Sequence, residues 1–560
     1  MKKRLNYYNI FMTAMFVVIA GLLLASGIVA VQKSMKLNLS FQANPNFQIE
    51  VRILKEGETG EGDLIFKNFG ETTIHSEITS LNGITLNASD NFISKFGSDF
   101  TLIVKNYTKD IILQVGVTST AETITGAEGV PAEVTTIKSE AAGFVENTDA
   151  DYASFKISVG AVFEQNTTIQ IDINEKVIPI WSGNVAENYA GGTGAMDDPY
   201  LISNGEGLAL LAANVNDEEN PTTYAGKYFL VTDDIYLNKG YLNYETWEET
   251  PPKNTWTPIG GGVNGTSCSF QGSFDGNNKT IYGLYFNNAA VSYVGLFGYC
   301  NGNSTFQNIN ISNSFINGEN YVGGVIGECE SSRAAGENMI KVVYCKNNSL
   351  IKGVNCVGGI CGSLDLLDAF NEEGKIDILY CCNNGSVLGK NYVAGIIGNA
   401  YRSTDIYSIN LDYCFNSGSI NGDNYVSGIM SDGGALPVYL SNVYNAGKIT
   451  MTGDYGAGIC SGEAIGCEKV YNLGELTGNN AWGIAASGTT WSGNTGLYYL
   501  DDCGASAGFD GDTVDRSRTA TELKTQSTYE GWDFDTVWAI DPNGVINDGF
   551  PYLRALPPTN

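Results

Sequence analysis

The chain begins with a long, uninterrupted apolar run. Ile10–Val31 contains no charged residue and follows a basic cluster, Lys2, Lys3 and Arg4. At about 1.5 Å per residue, a helix of this length crosses a hydrocarbon core of ~30 Å. The run is longer than a typical signal-peptide core, so it favours a retained signal anchor or transmembrane segment over 1–34; cleavage at Ala25–Gly27 is the alternative. Both interpretations predict that the rest of the chain is exported.

Residues 35–180 alternate between apolar and polar positions with the period of β-strands. The segments FQIEVRIL, FTLIVKNY and TTIQIDINEKV are examples, and turns rich in Gly, Asn, Asp and Thr separate them. Because no helical period interrupts this pattern, it predicts a β-sandwich module. The only histidine of the chain, His75, lies here, and we interpret it as a residue at a sheet surface or edge rather than as a ligand.

The pattern changes after Trp181. A Gly-, Ala- and Asn-rich stretch predicts a linker over 181–196. Leu208, Leu211 and Val215 then follow at helical spacing and predict a helix over 206–216. Since the end of a solenoid exposes unpaired strands, this helix is expected to cover it. Residues 197–290 are therefore predicted to form an N-terminal cap and the first rungs of a solenoid.

A short core motif repeats seven times between residues 291 and 500. Its copies are YVGLFG, YVGGVIG, CVGGICG, YVAGIIG, YVSGIMS, YGAGICS and AWGIAA. Their anchoring glycines are Gly295, Gly324, Gly359, Gly395, Gly428, Gly458 and Gly483. The successive spacings vary between 25 and 36 residues, which indicates loops of variable length on a constant scaffold.

A second repeated line precedes these cores. It places asparagines at one equivalent position, Asn347, Asn383, Asn416, Asn445 and Asn472, and glycines at another, Gly353, Gly389, Gly422, Gly453 and Gly478. Short apolar strands without intervening helices predict a parallel β-helix with one repeat per turn. Stacked asparagines would then form hydrogen bonds along the turns, about 4.8 Å apart. The alternative, a β-propeller, needs about 40–50 residues per blade, and the shortest repeats fall well below that.

The C-terminal residues 501–560 are unusually rich in large apolar side chains. This composition predicts a cap over the second end of the solenoid rather than a ligand site. The residues that carry the prediction are Leu523, Tyr529, Trp532, Phe534, Val537 and Trp538.

Charge and composition remove several classes of function. The net charge of −30 repels the phosphates of nucleic acids and lipids, so neither is expected to bind the exported part of the chain. A single histidine rules out the HExxH motif of zinc proteases and argues against serine or cysteine triads.

The twelve cysteines lie between Cys268 and Cys503. Cys345, Cys381 and Cys414 share one repeat position, and Cys361 and Cys460 share another. Side chains on in-register parallel strands point the same way, which disfavours disulfide geometry. We therefore predict buried, mostly reduced thiols that pack as small apolar side chains. No C-x-x-C pair is present to indicate zinc or redox chemistry.

Matches to catalytic motifs lack the context that each motif requires. Gly504–Gly508 fits G-x-S-x-G but has no downstream histidine, and Gly260–Gly265 fits G-x-G-x-x-G without a following helix, so both are predicted to be turns. Asp149–Asp151 lacks the glycine and final glutamate of a calcium loop. The carboxylate pairs Asp197/Asp198, Asp233/Asp234 and Asp501/Asp502 leave surface calcium and glycan cleavage open. No catalytic, cofactor-binding or metal-binding residue is assigned.

Over residues 190–555 the chain resembles the GLUG-repeat proteins of bacterial cell surfaces. The resemblance rests on the seven cores, on the preceding segments DDPYLIS, YAGKYFLVTDDIYL and FQGSFDGNNKTIYGLYF, and on the closing segment TELKTQSTYEGWDFDTVWAIDPNGVINDGFPYL. It implies a right-handed parallel β-helix with caps, in exported adhesin-like proteins. Similar repeats accompany the zinc domain of some immunoglobulin-cleaving metallopeptidases, whose HExxH motif this sequence lacks.

Three classes of function remain. We expect first a non-catalytic cell-surface solenoid, held to the membrane by its N-terminal helix, that adheres to an extracellular glycan or protein. The alternatives are a structural component of the envelope or matrix and a carbohydrate-active β-helix enzyme. No cofactor is expected.

Overall fold

The computed structural model describes residues 37–58, 60–69, 73–75, 78–81, 85–88, 95–97, 99–108, 111–119, 123–127, 140–145, 152–158, 167–330, 338–366, 374–402, 408–431, 438–463, 466–487 and 495–558. The chain divides into two compact units, Met1–Val177 and Ile178–Asn560. Among the described residues, no helix is both long and apolar enough to cross a membrane. The predicted anchor over 1–34 lies outside them.

The described residues of the first unit form two six-stranded sheets. In spatial order, the strands of the first sheet are Glu140–Val145, Leu113–Ser119, Thr167–Glu175, Leu37–Ala43, Thr85–Ala88 and Ile78–Leu81. Those of the second are Thr73–Ile74, Asp63–Lys67, Ile49–Lys55, Asp99–Asn106, Tyr152–Ser158 and Thr123–Ala127. Alternate residues of the central strands are buried, such as Leu113, Val115 and Val117, or Phe100, Leu102 and Val104. This alternation is the period that the sequence shows over 35–180.

The second unit is a parallel β-solenoid. Its longest sheet contains 22 strands: Tyr200–Ile202, Tyr228–Val231, Ile235–Tyr236, Ser273–Asp275, Thr280–Tyr282, Tyr285–Asn287, Thr305–Gln307, Asn310–Asn317, Asn338–Val343, Lys346–Lys352, Gly374–Leu379, Cys382–Asn383, Val387–Leu388, Ser408–Asp412, Phe415–Asn416, Ile420–Gly422, Val438–Asn445, Ile449–Met451, Gly466–Asn472, Leu476–Thr477, Thr495–Leu500 and Ser517–Arg518. The remaining parallel strands are Phe297–Asn301, Asn320–Gly323, Ile326–Glu330, Asn355–Gly358, Cys361–Leu366, Asn391–Ala394, Ile397–Arg402, Asn424–Ser427, Gly456–Ala457, Cys460–Glu463, Ala481–Ser487 and Ala507–Phe509. Trp538–Ala539 and Tyr552–Leu553 form a separate antiparallel pair.

One turn of the solenoid shows the plan of all of them. Residues 338–343 form its first strand segment, 346–348 the second, 350–352 the third, 355–358 the fourth and 361–366 the fifth. Equivalent segments of successive turns pair in parallel, and we call the five resulting stacks columns A to E. Column D runs through seven levels, at Val294, Val322, Val357, Val393, Val426, Gly456 and Ala481. The parallel solenoid predicted from the seven cores is confirmed.

The repeated glycines explain the sharp turn between columns D and E. A Cβ atom built on Gly359 would lie 2.2 Å from the carbonyl oxygen of Gly395, one turn further along. Gly395 stands in the same relation to the carbonyl oxygen of Gly428. Only glycine therefore lets the backbones of neighbouring turns approach this closely.

The predicted helix is present as α1, Gly205–Val215, with the side chain of Asn204 capping its N-terminus. Leu208, Leu211 and Val215 are fully buried and belong to the core that fills the solenoid. The predicted linker over 181–196 is wrong in part: Trp181 packs in that same core, and backbone bonds join 190–191 to Leu201. Burial of a large aromatic ring is favourable, so Trp181 packs in the core instead of lying in an exposed linker.

The C-terminal segment does not lie where the sequence predicts. After the short helix α2, Ala520–Leu523, the residues Tyr529, Trp532 and Trp538 pack against the side of the solenoid rather than only over its end. Their partners face outward from column B in successive turns: Cys382, Phe415, Tyr444, Tyr471 and Tyr498. The last turn is closed by its own residues, with Phe509 in the core and Ser517–Arg518 paired to Tyr499–Leu500. Packing of the tail on this row of stacked rings removes their outward apolar surface from water.

Candidate functional site

The corner between columns B and C is held by a buried asparagine ladder. The Nδ2 atom of each asparagine donates to Oδ1 of the next: Asn347 to Asn383 (2.7 Å), Asn383 to Asn416 (2.7 Å), Asn416 to Asn445 (2.7 Å) and Asn445 to Asn472 (2.8 Å). All five side chains are fully buried. The predicted hydrogen-bonded ladder is confirmed, and since no part of it reaches solvent, it stabilises the fold rather than binding a ligand.

A second asparagine ladder, not predicted from the sequence, runs along the start of column D. Asn355 donates to Asn320 (2.7 Å), Asn391 to Asn355 (2.9 Å) and Asn424 to Asn391 (3.0 Å). Its members are half-buried. An asparagine precedes the aromatic or cysteine residue of each of these cores, so the signal was present in the sequence.

The corner between columns A and B carries stacked tyrosines and buried thiols. The rings of Tyr344, Tyr380 and Tyr413 stack with centroids 4.6 Å apart. The next residue of each turn is Cys345, Cys381 or Cys414; Cys381 Sγ, for example, donates to the carbonyl oxygen of Val342 at 3.4 Å. All twelve cysteines are buried, as predicted, and burial raises the pKa of the Cys345 and Cys381 thiols. A neutral thiol is a poor nucleophile, so these cysteines are packing residues.

The corner between columns E and A is different because its length is not fixed. Before the next column A strand begins, the sequence has two residues after Glu463, three after Asn301 and seven after Glu330. The corner between columns A and B varies less: it has two residues at 344–345 and 380–381, three at 232–234 and four at 276–279. Most of the variable spacing seen in the sequence therefore falls at one edge of the solenoid, which in repeat proteins is often the edge that binds.

Column E presents carboxylates on its outward face next to that edge. Glu328 and Glu330 lie on one strand, and Asp365 pairs with Glu330 on the next. Glu328 is 9% exposed. Burial, together with the charges of Asp365 and Glu330, raises the pKa of Glu328 to about 7 although Ser363 donates a hydrogen bond to it. The Tyr299 hydroxyl donates to Glu330.

Column A presents a groove on the other side of the edge. The groove has a volume of about 500 Å³ and runs over the first turns of the solenoid. Met196, Pro199 and Leu230 make one part of its wall apolar. Met196 is 74% exposed, so this wall is open to solvent.

Polar side chains at strand-to-strand intervals form the rest of the groove. Tyr228, Ser273, Thr305 and Lys341 follow one another on four neighbouring strands. Beside them, Asp275 accepts hydrogen bonds from Gln307 Nε2 (2.7 Å), Asn308 Nδ2 (2.9 Å) and the backbone N–H of Asn277 (2.7 Å). The carboxylate of Asp275 is thus fixed in place. Lys341 forms no ion pair with another described residue.

The motifs singled out in the sequence do not build a site. His75 follows the edge strand Thr73–Ile74, bonds through its N–H to the Ile65 carbonyl oxygen, and stands edge-on to Phe96. Of residues 504–508, the first three form a bend, whereas Ala507 and Gly508 already belong to the strand Ala507–Phe509, so the predicted turn is found only in part. Residues 260–265 form an irregular segment whose glycines have positive φ, as predicted for a turn. Asp149–Asp151 lies outside the described residues. Within the described part of the chain, no group of three or more His, Cys, Asp or Glu side chains is arranged to hold a metal ion.

Comparison with known proteins finds two partial relatives. The chain is 26% identical to halomucin of Haloquadratum walsbyi over 185 residues, which is 32% of this chain and 2% of halomucin. It is 31% identical over 130 residues to a protein of Evansella cellulosilytica provisionally named a Gly-rich membrane protein, covering 23% of this chain and 12% of that protein. The chain therefore matches only small parts of both relatives. No protein-family model matches it.

One solved structure is similar in part. It is the crystal structure of a Bacteroides ovatus protein provisionally named an immunoglobulin A1 protease, with 18% identity and a TM-score of 0.42. The similarity covers 66% of this chain and 98% of the other.

Proposed function

We propose that the protein is a cell-surface solenoid of the GLUG-repeat type that binds an extracellular ligand without catalysing a reaction. The observation that carries the proposal is the contrast between the buried ladders, which fix the scaffold, and the open groove on column A beside the edge of variable length. A pocket of several hundred Å³ with an apolar wall and a few fixed polar groups is typical of a binding site.

The location at the surface rests on three features. The apolar run Ile10–Val31 after a basic cluster serves as the membrane anchor, with the remainder exported. The net charge of −30 suits an exposed, soluble surface. Halomucin and the Gly-rich membrane protein, by their names, agree with this location.

Two measurements on the full chain test the proposal. Protease added to intact cells should digest the protein, and full protection would contradict export. Purified protein should bind members of a combined glycan and extracellular-protein array without converting them. If the protein binds no glycan and no protein of the array and converts none of them, it is instead a structural component of the envelope.

Carbohydrate cleavage is a second candidate because of Glu328. A carboxyl group with a pKa near 7 beside a second carboxylate is the arrangement that glycosidases use for acid catalysis. Release of reducing ends from any bound glycan, abolished in Glu328→Gln, would establish this alternative. We expect no release from either form.

A further inference from the structure

We infer that the column-A groove is a binding site for an uncharged, linear glycan that lies along the axis of the solenoid. This inference rests on the proposed function and names the ligand class for that groove. It depends on the spacing, the chemistry and the charge of the groove.

The spacing of the groove suits a chain of repeating units. Tyr228, Ser273, Thr305 and Lys341 belong to successive turns, so their side chains recur at about 4.8 Å. This interval is close to the length of one sugar in an extended polysaccharide. The strand register continues to Asp377 and Asn410, but Asp377 is buried and bonded to Lys375 and Asn410, so the row that a ligand can reach ends at Lys341. A linear glycan parallel to the axis would therefore meet one set of polar groups per sugar.

The chemistry of the groove matches hydroxyl groups. A sugar hydroxyl both donates and accepts hydrogen bonds, and the groove offers three hydroxyl groups and one ammonium group along the row, with the carboxylate of Asp275 and the amide of Gln307 beside it, which together can satisfy both needs. Asp275, fixed by three N–H donors, retains lone pairs that can accept from a hydroxyl. The ring of Tyr228 and the apolar wall of Met196 and Leu230 suit the C–H face of a pyranose ring.

The charge of the protein selects among glycans. With a net charge of −30, the surface repels polyanionic chains before they reach the groove. Lys341 is the one cation among the residues that line the groove, and the lysine of the following strand, Lys375, is paired with Asp377 at 2.9 Å. A neutral glycan meets no such repulsion.

The test is a binding measurement on the full chain in detergent. The probes are neutral β-1,4-linked oligomers of glucose, xylose, mannose and N-acetylglucosamine, with oligogalacturonate as the acidic comparison. We expect at least one neutral series to bind more tightly as it lengthens, and oligogalacturonate to bind at least tenfold more weakly. Ser273→Trp, which fills the groove, should weaken binding at least tenfold. Ser417→Trp, at the exposed B–C corner, should leave binding unchanged.

A second variant distinguishes loss of the binding site from misfolding of Ser273→Trp. Lys341→Ala should weaken binding threefold or more while the unfolding midpoint stays that of the wild type. Glycan binding that neither variant reduces would overturn the inference, as would preferred binding of oligogalacturonate. Binding of proteins alone would overturn the glycan assignment and leave the proposed function standing, whereas binding of nothing would overturn both.

Discussion

Two corners of the same solenoid follow opposite rules. At the B–C corner five successive turns repeat one asparagine, buried and bonded to the next, and in these turns the connection keeps a constant length, as at 384–386 and 417–419. At the E–A corner the number of residues between the described strands varies from two to seven, and the adjacent column A opens a groove to solvent. The residues that repeat from turn to turn therefore stabilise this fold. The side chains that a ligand can reach lie instead at positions that do not repeat.

The largest expected effect comes from interrupting the buried ladder. In Asn416→Ala, Asn383 loses its acceptor and Asn445 loses its donor, both deep in the protein. Each unsatisfied buried group costs about 1–3 kcal/mol, so the free energy of unfolding should fall by about 4 kcal/mol. Chemical denaturation of the second unit measures this. Ser417→Ala, at the exposed neighbouring residue, is the matched control and should change stability by less than about 1 kcal/mol.

The second-largest expected effect on the free energy of unfolding comes from Glu328 and depends on pH. Its pKa in the folded protein, about 7, lies above the ordinary value of 4.5, so the folded state binds this proton more tightly than the unfolded state. The stabilisation is complete below pH 4.5 and is lost as the pH rises through 7. Glu328→Gln cannot ionise and should therefore be more stable than the wild type at pH 8.5, by up to about 3 kcal/mol.

Unfolding free energies between pH 5 and pH 9 check this expectation. The difference between Glu328→Gln and the wild type should grow with pH. Glu468→Gln, on the half-exposed side chain of another turn, should track the wild type throughout. A constant difference for Glu328→Gln would mean that this carboxyl group does not titrate near pH 7.

A smaller loss is expected from Gly359→Ala at the tight D–E turn. The added Cβ would stand 2.2 Å from the Gly395 carbonyl oxygen and 2.5 Å from the ladder residue Asn383, so two turns must separate slightly. Overpacking of this kind costs about 1–3 kcal/mol. Gly207→Ala within α1, where the nearest atom is 3.5 Å away, should be neutral in thermal unfolding. Equal melting temperatures for the two variants would contradict the close approach.

The sequence predicted the scaffold well because the scaffold repeats. The asparagines Asn347 to Asn472 and the glycines of the cores recur with every turn, and stacking in register follows from that recurrence. The position of the C-terminal tail was not predicted, since it depends on which outward residues of column B are aromatic. The aromatic row can be recognised in the sequence, because each of its residues Phe415, Tyr444 and Tyr471 precedes a ladder asparagine. The sequence does not show that the C-terminal tail packs on this row.

The column-A groove and the column-E carboxylates were predicted less well than the scaffold. Tyr228 and Ser273 precede the first core, belong to no repeated line, and come together with Lys341 only through the pairing of strands far apart in sequence. Glu328 and Glu330 flank a cysteine in a strand whose sequence has the alternating pattern of an ordinary β-strand. Nothing local in the sequence indicates that burial and Asp365 raise the pKa of Glu328.

The division into a fixed and a variable corner is tested most directly by one pair of insertions. The same four residues, Gly-Ser-Gly-Ser, are placed between Ala464 and Ile465 at the E–A corner and, in a second variant, between Gly385 and Ser386 at the B–C corner. Thermal unfolding of both is compared with the wild type. Because lengthening a loop costs only about 0.6 kcal/mol per doubling, the first variant should melt within a few degrees of the wild type. The second breaks the register of the buried ladder and should lose cooperative unfolding. Equal melting behaviour of the two variants would contradict the account.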